Sequence, residues 1–149
     1  MINMTRENNK CKIEISEKGL EMDGECALGL PEVLASTYSV SKKSKAEIFA
    51  CACLNPETAE VEKVVLGNIG TPTSVSTNEV ERVCPKDTRQ IAYHTHPVSE
   101  EAKFSASDGS VIVDRFNKEY DDGHCVVGND EYRCILHTFQ RGLKKDREV

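Results

Sequence analysis

The segment His94-Thr95-His96-Pro97, followed by Ser105-Ala106-Ser107-Asp108, constrains this chain more than any other stretch. Gln90 to His94 reads as a strand, and Pro97 ends it because proline has no N–H to give to a sheet ladder. Residues at i and i+2 of a strand project from one face, so His94 and His96 point the same way. Ser105 and Asp108 stand at i and i+3, on one face of a helix predicted over 105–120. Eight residues, 97–104, connect the two elements. So short a loop folds the helix start back over the strand end.

That order brings two imidazoles and one carboxylate towards one point. Both rings can reach a single ion at about 2.0–2.1 Å, and Asp108 completes a three-ligand set with a fourth position left open. Zinc held this way carries a water whose pKa falls to roughly 7. Each part has a plainer reading. A His-x-His pair suits an exposed strand end, and Ser-x-x-Asp is an ordinary helix cap. It is the joint occurrence, in strand–loop–helix order, that points to one zinc ion per chain on His94, His96 and Asp108. The cap is compatible with this, because it fixes the backbone from which Asp108 reaches the metal.

A zinc-bound water needs a general base. Glu57, Glu60, Glu62, Glu79, Glu81, Glu100 and Glu101 lie in polar stretches and read as solvated. Glu47 opens the apolar run Ile48 to Leu54, at the edge of the core. Partial burial there raises a carboxyl pKa towards the useful range. The plainer reading pairs Glu47 with Lys43 or Lys45 at a strand start.

The rest of the chain reads as one domain. Its 149 residues are a usual single-domain length. Residues 1–10 read as a flexible leader, 11–142 as the catalytic domain and 143–149 as a charged tail. Cys11 to Ser16 alternates like an edge strand. Pro31 suits the first turn of a helix that carries Glu32, Val33, Leu34 and Tyr38 and ends near Lys42, Lys43 and Lys45. Glu47 to Leu54 reads as a central strand, Asn55 to Thr58 as a turn, and Val61 to Ile69 as the return strand. Residues 70–90 carry no clear period, and 78–83 fits helix or strand. His124–Gly128 and Glu131–Gln140 read as a closing hairpin. Helices and strands alternate while the hairpin is antiparallel, so the expectation is α/β with a mixed β-sheet flanked by helices.

A net charge of −6 argues against non-specific nucleic-acid binding. No window approaches the ~20 apolar residues of a membrane span. The polar first ten residues lack an apolar signal region, which makes a cytoplasmic protein the expectation. Seven cysteines without a signal then favour reduced thiols over a disulfide framework. Cys51 and Cys53 are read as small hydrophobes on one face of a buried strand; half of a metal site is the alternative. His124, His137, Cys125 and Cys134 fall in the closing strands and read as structural.

Taken together, Glu47, His94-Thr95-His96-Pro97 and Ser105-x-x-Asp108 resemble the motif of the JAMM (MPN+) zinc metalloproteases. The gap of 47 between Glu47 and His94 is similar to the family's. The resemblance runs from near Pro31 to about Gln140, and it implies a stand-alone MPN-like (cytidine-deaminase-like) domain of the small prokaryotic type. It implies zinc on His94, His96 and Asp108, Glu47 as the proton-transferring base, and Ser105 as the donor to the oxyanion. It also implies cleavage of an isopeptide or peptide bond at the C-terminal tail of a ubiquitin-like or sulfur-carrier protein; that tail is expected to lie extended beside the site. The sequence departs from the family in its eight-residue loop, where seven is commonest, and in the absence of glycine from Phe49 to Leu54. No insertion suggests a built-in ubiquitin-binding element.

Two alternatives come from other classes. One is a non-catalytic MPN scaffold, which in the family lacks part of the ligand set. The other is a RadC-like, DNA-repair-associated protein, whose pattern has Asn between the histidines and Ser-Gly after the proline; Thr95 and Val98-Ser99 do not match it. Oligomeric state, monomer or homodimer, is left open.

Overall fold

Apart from 78–83, each predicted element from Pro31 to Gly128 has a counterpart in the computed structural model, which describes residues 4–8, 11–16, 19–24, 28–77, 81–98, 101–129 and 131–136. In chain order these are β1 (Met4–Asn8), β2 (Cys11–Ser16), β3 (Gly19–Gly24), β4 (Leu28–Gly29), α1 (Leu30–Ser44), β5 (Ile48–Leu54), β6 (Glu60–Ile69), β7 (Arg89–Thr95), α2 (Ala106–Asn117), β8 (Gly123–Gly128) and β9 (Glu131–Leu136). Val33, Leu34, Tyr38 and Val40 recur at helical spacing and form the buried face of α1. Pro31 sits in its first turn, and Lys45 ends it in a left-handed conformation (φ 55°), its N–H donating to the Ser41 carbonyl.

The main sheet has six strands in the order β4-β6-β5-β7-β8-β9. Its neighbours pair antiparallel except β7 and β8, which are parallel. That exception follows from the connection: a parallel partner needs a long crossover, and the loop with α2 supplies it. The sheet is therefore mixed, as expected.

Alternation along the strands builds two faces. Ile48, Ala50 and Ala52, with Ile91, Tyr93, Cys125 and Val127, pack against α1. Phe49, Cys51 and Ala92 form a smaller cluster on the opposite face with Val75. There the guanidinium of Arg115, from α2, lies 5.1 Å from the Phe49 ring centroid. The candidate site belongs to this second face.

The N-terminal segment differs from the expectation. Residues 4–8, read as part of a loose leader, form β1, and Cys11–Ser16 is the central strand of the antiparallel sheet β1-β2-β3 rather than an edge. Each of its ladders gains partners from a neighbour that local polarity hides. Within 70–90, residues 81–88 form no helix or strand; 78–80 lie outside the described residues, as do 137–140 of the hairpin, His137 and the tail.

The expectation of reduced thiols is also corrected. Cys53 is bonded to Cys84, and Cys125 to Cys134. Cys125 and Cys134 are register partners across β8 and β9, with Cα atoms 4.0 Å apart. Cys84 is brought to Cys53 by Gln90, whose Oε1 accepts from the backbone N–H of Val83 at 2.8 Å and of Cys84 at 3.0 Å. Cys51 is free and buried, a small apolar filler beside Phe49 and Ala92. Its neighbour Cys53 is half of a crosslink instead.

Candidate metal centre

Strand β7 delivers His94 at its end, and His96 follows one residue beyond it, held by its backbone N–H to the Val127 carbonyl at 2.9 Å. The turn at Pro97 and the loop that follows bring the N-terminus of α2 back to the pair. The Nε2 atoms of the two histidines lie 3.2 Å apart. His94 Nε2 is 3.3 Å from Asp108 Oδ1, and His96 Nε2 is 3.8 Å from Asp108 Oδ2. One donor atom from each residue falls within 4.8 Å of the others. A tetrahedral ion with ligands at 2.0–2.1 Å has ligand–ligand edges of about 3.3–3.4 Å. The Nε2–Nε2 and His94–Oδ1 separations match those edges, while the 3.8 Å approach to His96 is made by the other carboxylate oxygen, Oδ2. Two imidazoles and a carboxylate are also a donor set that zinc takes readily, so these residues fit the ion the sequence pointed to.

Hydrogen bonds behind the rings set which nitrogens face inward. His96 Nδ1 lies 3.0 Å from the Glu101 carbonyl, which can only accept. The proton therefore sits on Nδ1, and Nε2 keeps its lone pair for the centre. Burial and the neighbouring His94 push the His96 pKa below its ordinary value, and this favours the neutral, ligating form.

Asp108 serves two roles at once. Its Oδ2 accepts from the Ser105 backbone N–H at 2.8 Å, and its own N–H donates to Ser105 Oγ at 3.1 Å. This is a complete capping box at the start of α2. Oδ1 meanwhile faces His94. Burial alone raises the Asp108 pKa, but the contact with His94 and the hydrogen bonds from Ser105 outweigh it and hold the carboxyl well below the usual range. The cap and the ligand are one arrangement.

Glu47, His94, His96, Ser105 and Asp108 line one cleft of about 450 Å³. Glu47 is only 8% exposed, and among the described residues it makes no ion pair with Lys43 or Lys45. Burial pushes its pKa up to about 7, against a downward pull from His94 and with a further push from Asp108. A carboxyl poised there exchanges a proton near neutral pH. Ser105 Oγ accepts from the Asp108 N–H and lies 3.1 Å from Ser107 Oγ, also in the cleft.

The facing wall is the segment from Pro72 to Val75 together with Thr77. It is tied to Glu47 by backbone bonds: Glu47 N–H to the Thr71 carbonyl and Gly70 N–H to the Glu47 carbonyl, each 2.8 Å. Arg115 donates to the Thr77 carbonyl at 3.1 Å and pairs with buried Asp121. This wall has no clear period in the sequence, and the bonds that dock it on the cleft run to Glu47 and Arg115, both distant in the chain. Sequence reasoning also read His124 as merely structural, whereas that residue lines the cleft with its Nε2 2.9 Å from His94 Nδ1.

All five residues singled out from the sequence thus meet in one cleft. No model of a known protein family matches the chain, and no curated protein does.

Proposed function

We propose that this protein is a zinc-dependent peptidase of the JAMM type, which hydrolyses an isopeptide or peptide bond at the C-terminal tail of a ubiquitin-like or sulfur-carrier protein. The observation that carries the reading is the convergence of His94 Nε2, His96 Nε2 and an Asp108 oxygen within 4.8 Å, in the same cleft as a buried glutamate. The substrate class rests on the motif resemblance.

His94, His96 and Asp108 would hold the ion. Zinc bound there would supply Lewis acidity and lower the pKa of a water molecule. Glu47 takes one proton from the attacking water as the new C–O bond forms at the scissile carbonyl. It passes that proton to the amine nitrogen as the C–N bond breaks. Its raised pKa suits both halves of the transfer. Ser105 Oγ accepts from the helix backbone, so its own O–H remains able to donate to the developing oxyanion. The 450 Å³ cleft admits a few residues of extended chain, in keeping with a narrow C-terminal tail.

The cytoplasmic setting belongs to the same proposal. Alkylation of the protein in intact cells, followed by mass measurement, tests it, because the cystines Cys53–Cys84 and Cys125–Cys134 are expected to persist in an oxidising compartment.

The function is tested with zinc-loaded protein, conjugates of ubiquitin-like proteins, and the Glu47→Gln variant. Glu47→Gln is expected to bind zinc as the wild type does and to lose turnover by at least about 100-fold. Wild-type protein that takes up no zinc would favour a scaffold role, and retained turnover in Glu47→Gln would remove the base assignment.

A further inference from the structure

The hydrogen bond between His94 and His124 has a direction that the proposed metal centre dictates. Nε2 of His94 faces His96 and Asp108, and its Nδ1 lies 2.9 Å from His124 Nε2. A neutral imidazole carries one N–H. If Nε2 is to offer its lone pair to an ion, the proton sits on Nδ1, and His124 Nε2 must accept it. His124 stands behind the ligand, on the side of the ring away from the donor cluster, so it is no ligand itself.

The fold holds His124 in that role. Strands β7 and β8 run parallel with Ala92 opposite His124, which puts His124 and His94 on one face of the sheet. His124 is 2% exposed. The Phe49 ring stacks at 6.2 Å between centroids, tilted by 24°, and Phe104 meets it edge-on at 6.3 Å. Two aromatic neighbours thus fix the plane in which Nε2 points at His94. His96 is oriented by the Glu101 carbonyl in the same way. The two ligating rings therefore each have a backing acceptor, one from the backbone and one from a side chain.

We propose that His124 is a positioning residue for the metal centre, accepting the Nδ1 proton of His94 and so fixing the tautomer and ring angle that present Nε2 to zinc. The inference rests on the zinc reading of His94, His96 and Asp108. Removing an orienting partner of this kind typically lowers metal affinity 10- to 100-fold.

The test is zinc affinity, read by competition with a chromophoric chelator and independent of any substrate. His124→Leu is expected to weaken zinc binding about 10- to 100-fold. His124→Gln places a carbonyl oxygen near the position of Nε2 and is expected to recover most of that loss. Equal affinity in wild type and His124→Leu would overturn the proposal while leaving the zinc site standing, as would a His124→Gln as weak as His124→Leu. Wild-type protein without zinc affinity would instead overturn the site itself. A measurement on unsubstituted protein covers the case in which His124→Leu fails to fold. In ¹⁵N-histidine-labelled, zinc-loaded wild type, the expected spectrum shows His94 protonated at Nδ1 and His124 bare at Nε2. The opposite arrangement would overturn the assignment.

Discussion

Glu47 is kept in a place that costs the fold something. Its pKa of about 7 lies above the ordinary 4.5, chiefly through burial, so ionising it at neutral pH works against the native state. A group with a raised folded pKa contributes stability that is full below its unfolded pKa and lost as pH rises through its folded pKa. The window here is pH 4.5 to about 7. Metal-free Glu47→Gln, neutral throughout, is therefore expected to be more stable than wild type at pH 8 by on the order of 2–3 kcal/mol, with most of the gain gone at pH 5. Urea denaturation in the presence of a chelator at the two pH values measures it; equal gains at both would contradict the raised pKa. Asp108 behaves oppositely, contributing stability at neutral pH that is lost as the solution is acidified. Glu47 was legible in the sequence because it alone opens an apolar run. His124 was not, because its meaning depends on the β7–β8 register, which no local pattern announces.

At the scale of elements, α2 joins stability to chemistry through its first turn. Ser105→Ala removes the side-chain acceptor for the Asp108 N–H and is expected to cost about 1 kcal/mol, whereas Ser105→Gly costs only a few tenths. Both variants also lose the hydroxyl proposed to meet the oxyanion. Stability should thus separate the two variants while turnover falls alike in both, as denaturant titration beside a rate assay would show. Strand β6 bears a second constraint. A Cβ on Gly67 would stand 2.5 Å from Cδ2 of Phe49 and 3.0 Å from its carbonyl oxygen. The ring can turn but the carbonyl cannot, so Gly67→Ala is expected to destabilise by about 1–3 kcal/mol. Thermal unfolding checks this, and an unchanged midpoint would show that the β5–β6 pair yields more freely than its register suggests. The elements legible in the sequence were those with a clean period, an unbroken apolar run or a turn signal beside them: α1, β5, β6, β7, α2 and the β8–β9 hairpin. The wall from Pro72 to Thr77 was illegible because what docks it lies elsewhere in the chain: Glu47, through backbone bonds to Gly70 and Thr71, and Arg115.

At the scale of the molecule, the two cystines among the described residues tie parts that the zinc donors do not. Cys53–Cys84 closes a separation of 31 residues and Cys125–Cys134 one of 9. On a chain-entropy estimate they contribute roughly 3–4 and 2–3 kcal/mol respectively. The longer crosslink pins the stretch around Cys84 to the end of β5, and the segment bearing Pro72 to Thr77 lies within the same closed loop. His94, His96 and Asp108 are placed by β7, its exit turn and the cap of α2, outside that loop. Removing the bond should therefore loosen the cleft wall and leave the donors in register. The Cys53→Ala/Cys84→Ala double variant is the clean probe, because alanine leaves no thiolate to compete for zinc. It is expected to unfold at lower temperature and to exchange amide hydrogens faster over 71–77 and 81–84, with zinc affinity close to that of wild type. A large fall in zinc affinity would mean that the wall helps hold the donors, and the division between a rigid metal cradle and a crosslinked wall would have to be given up.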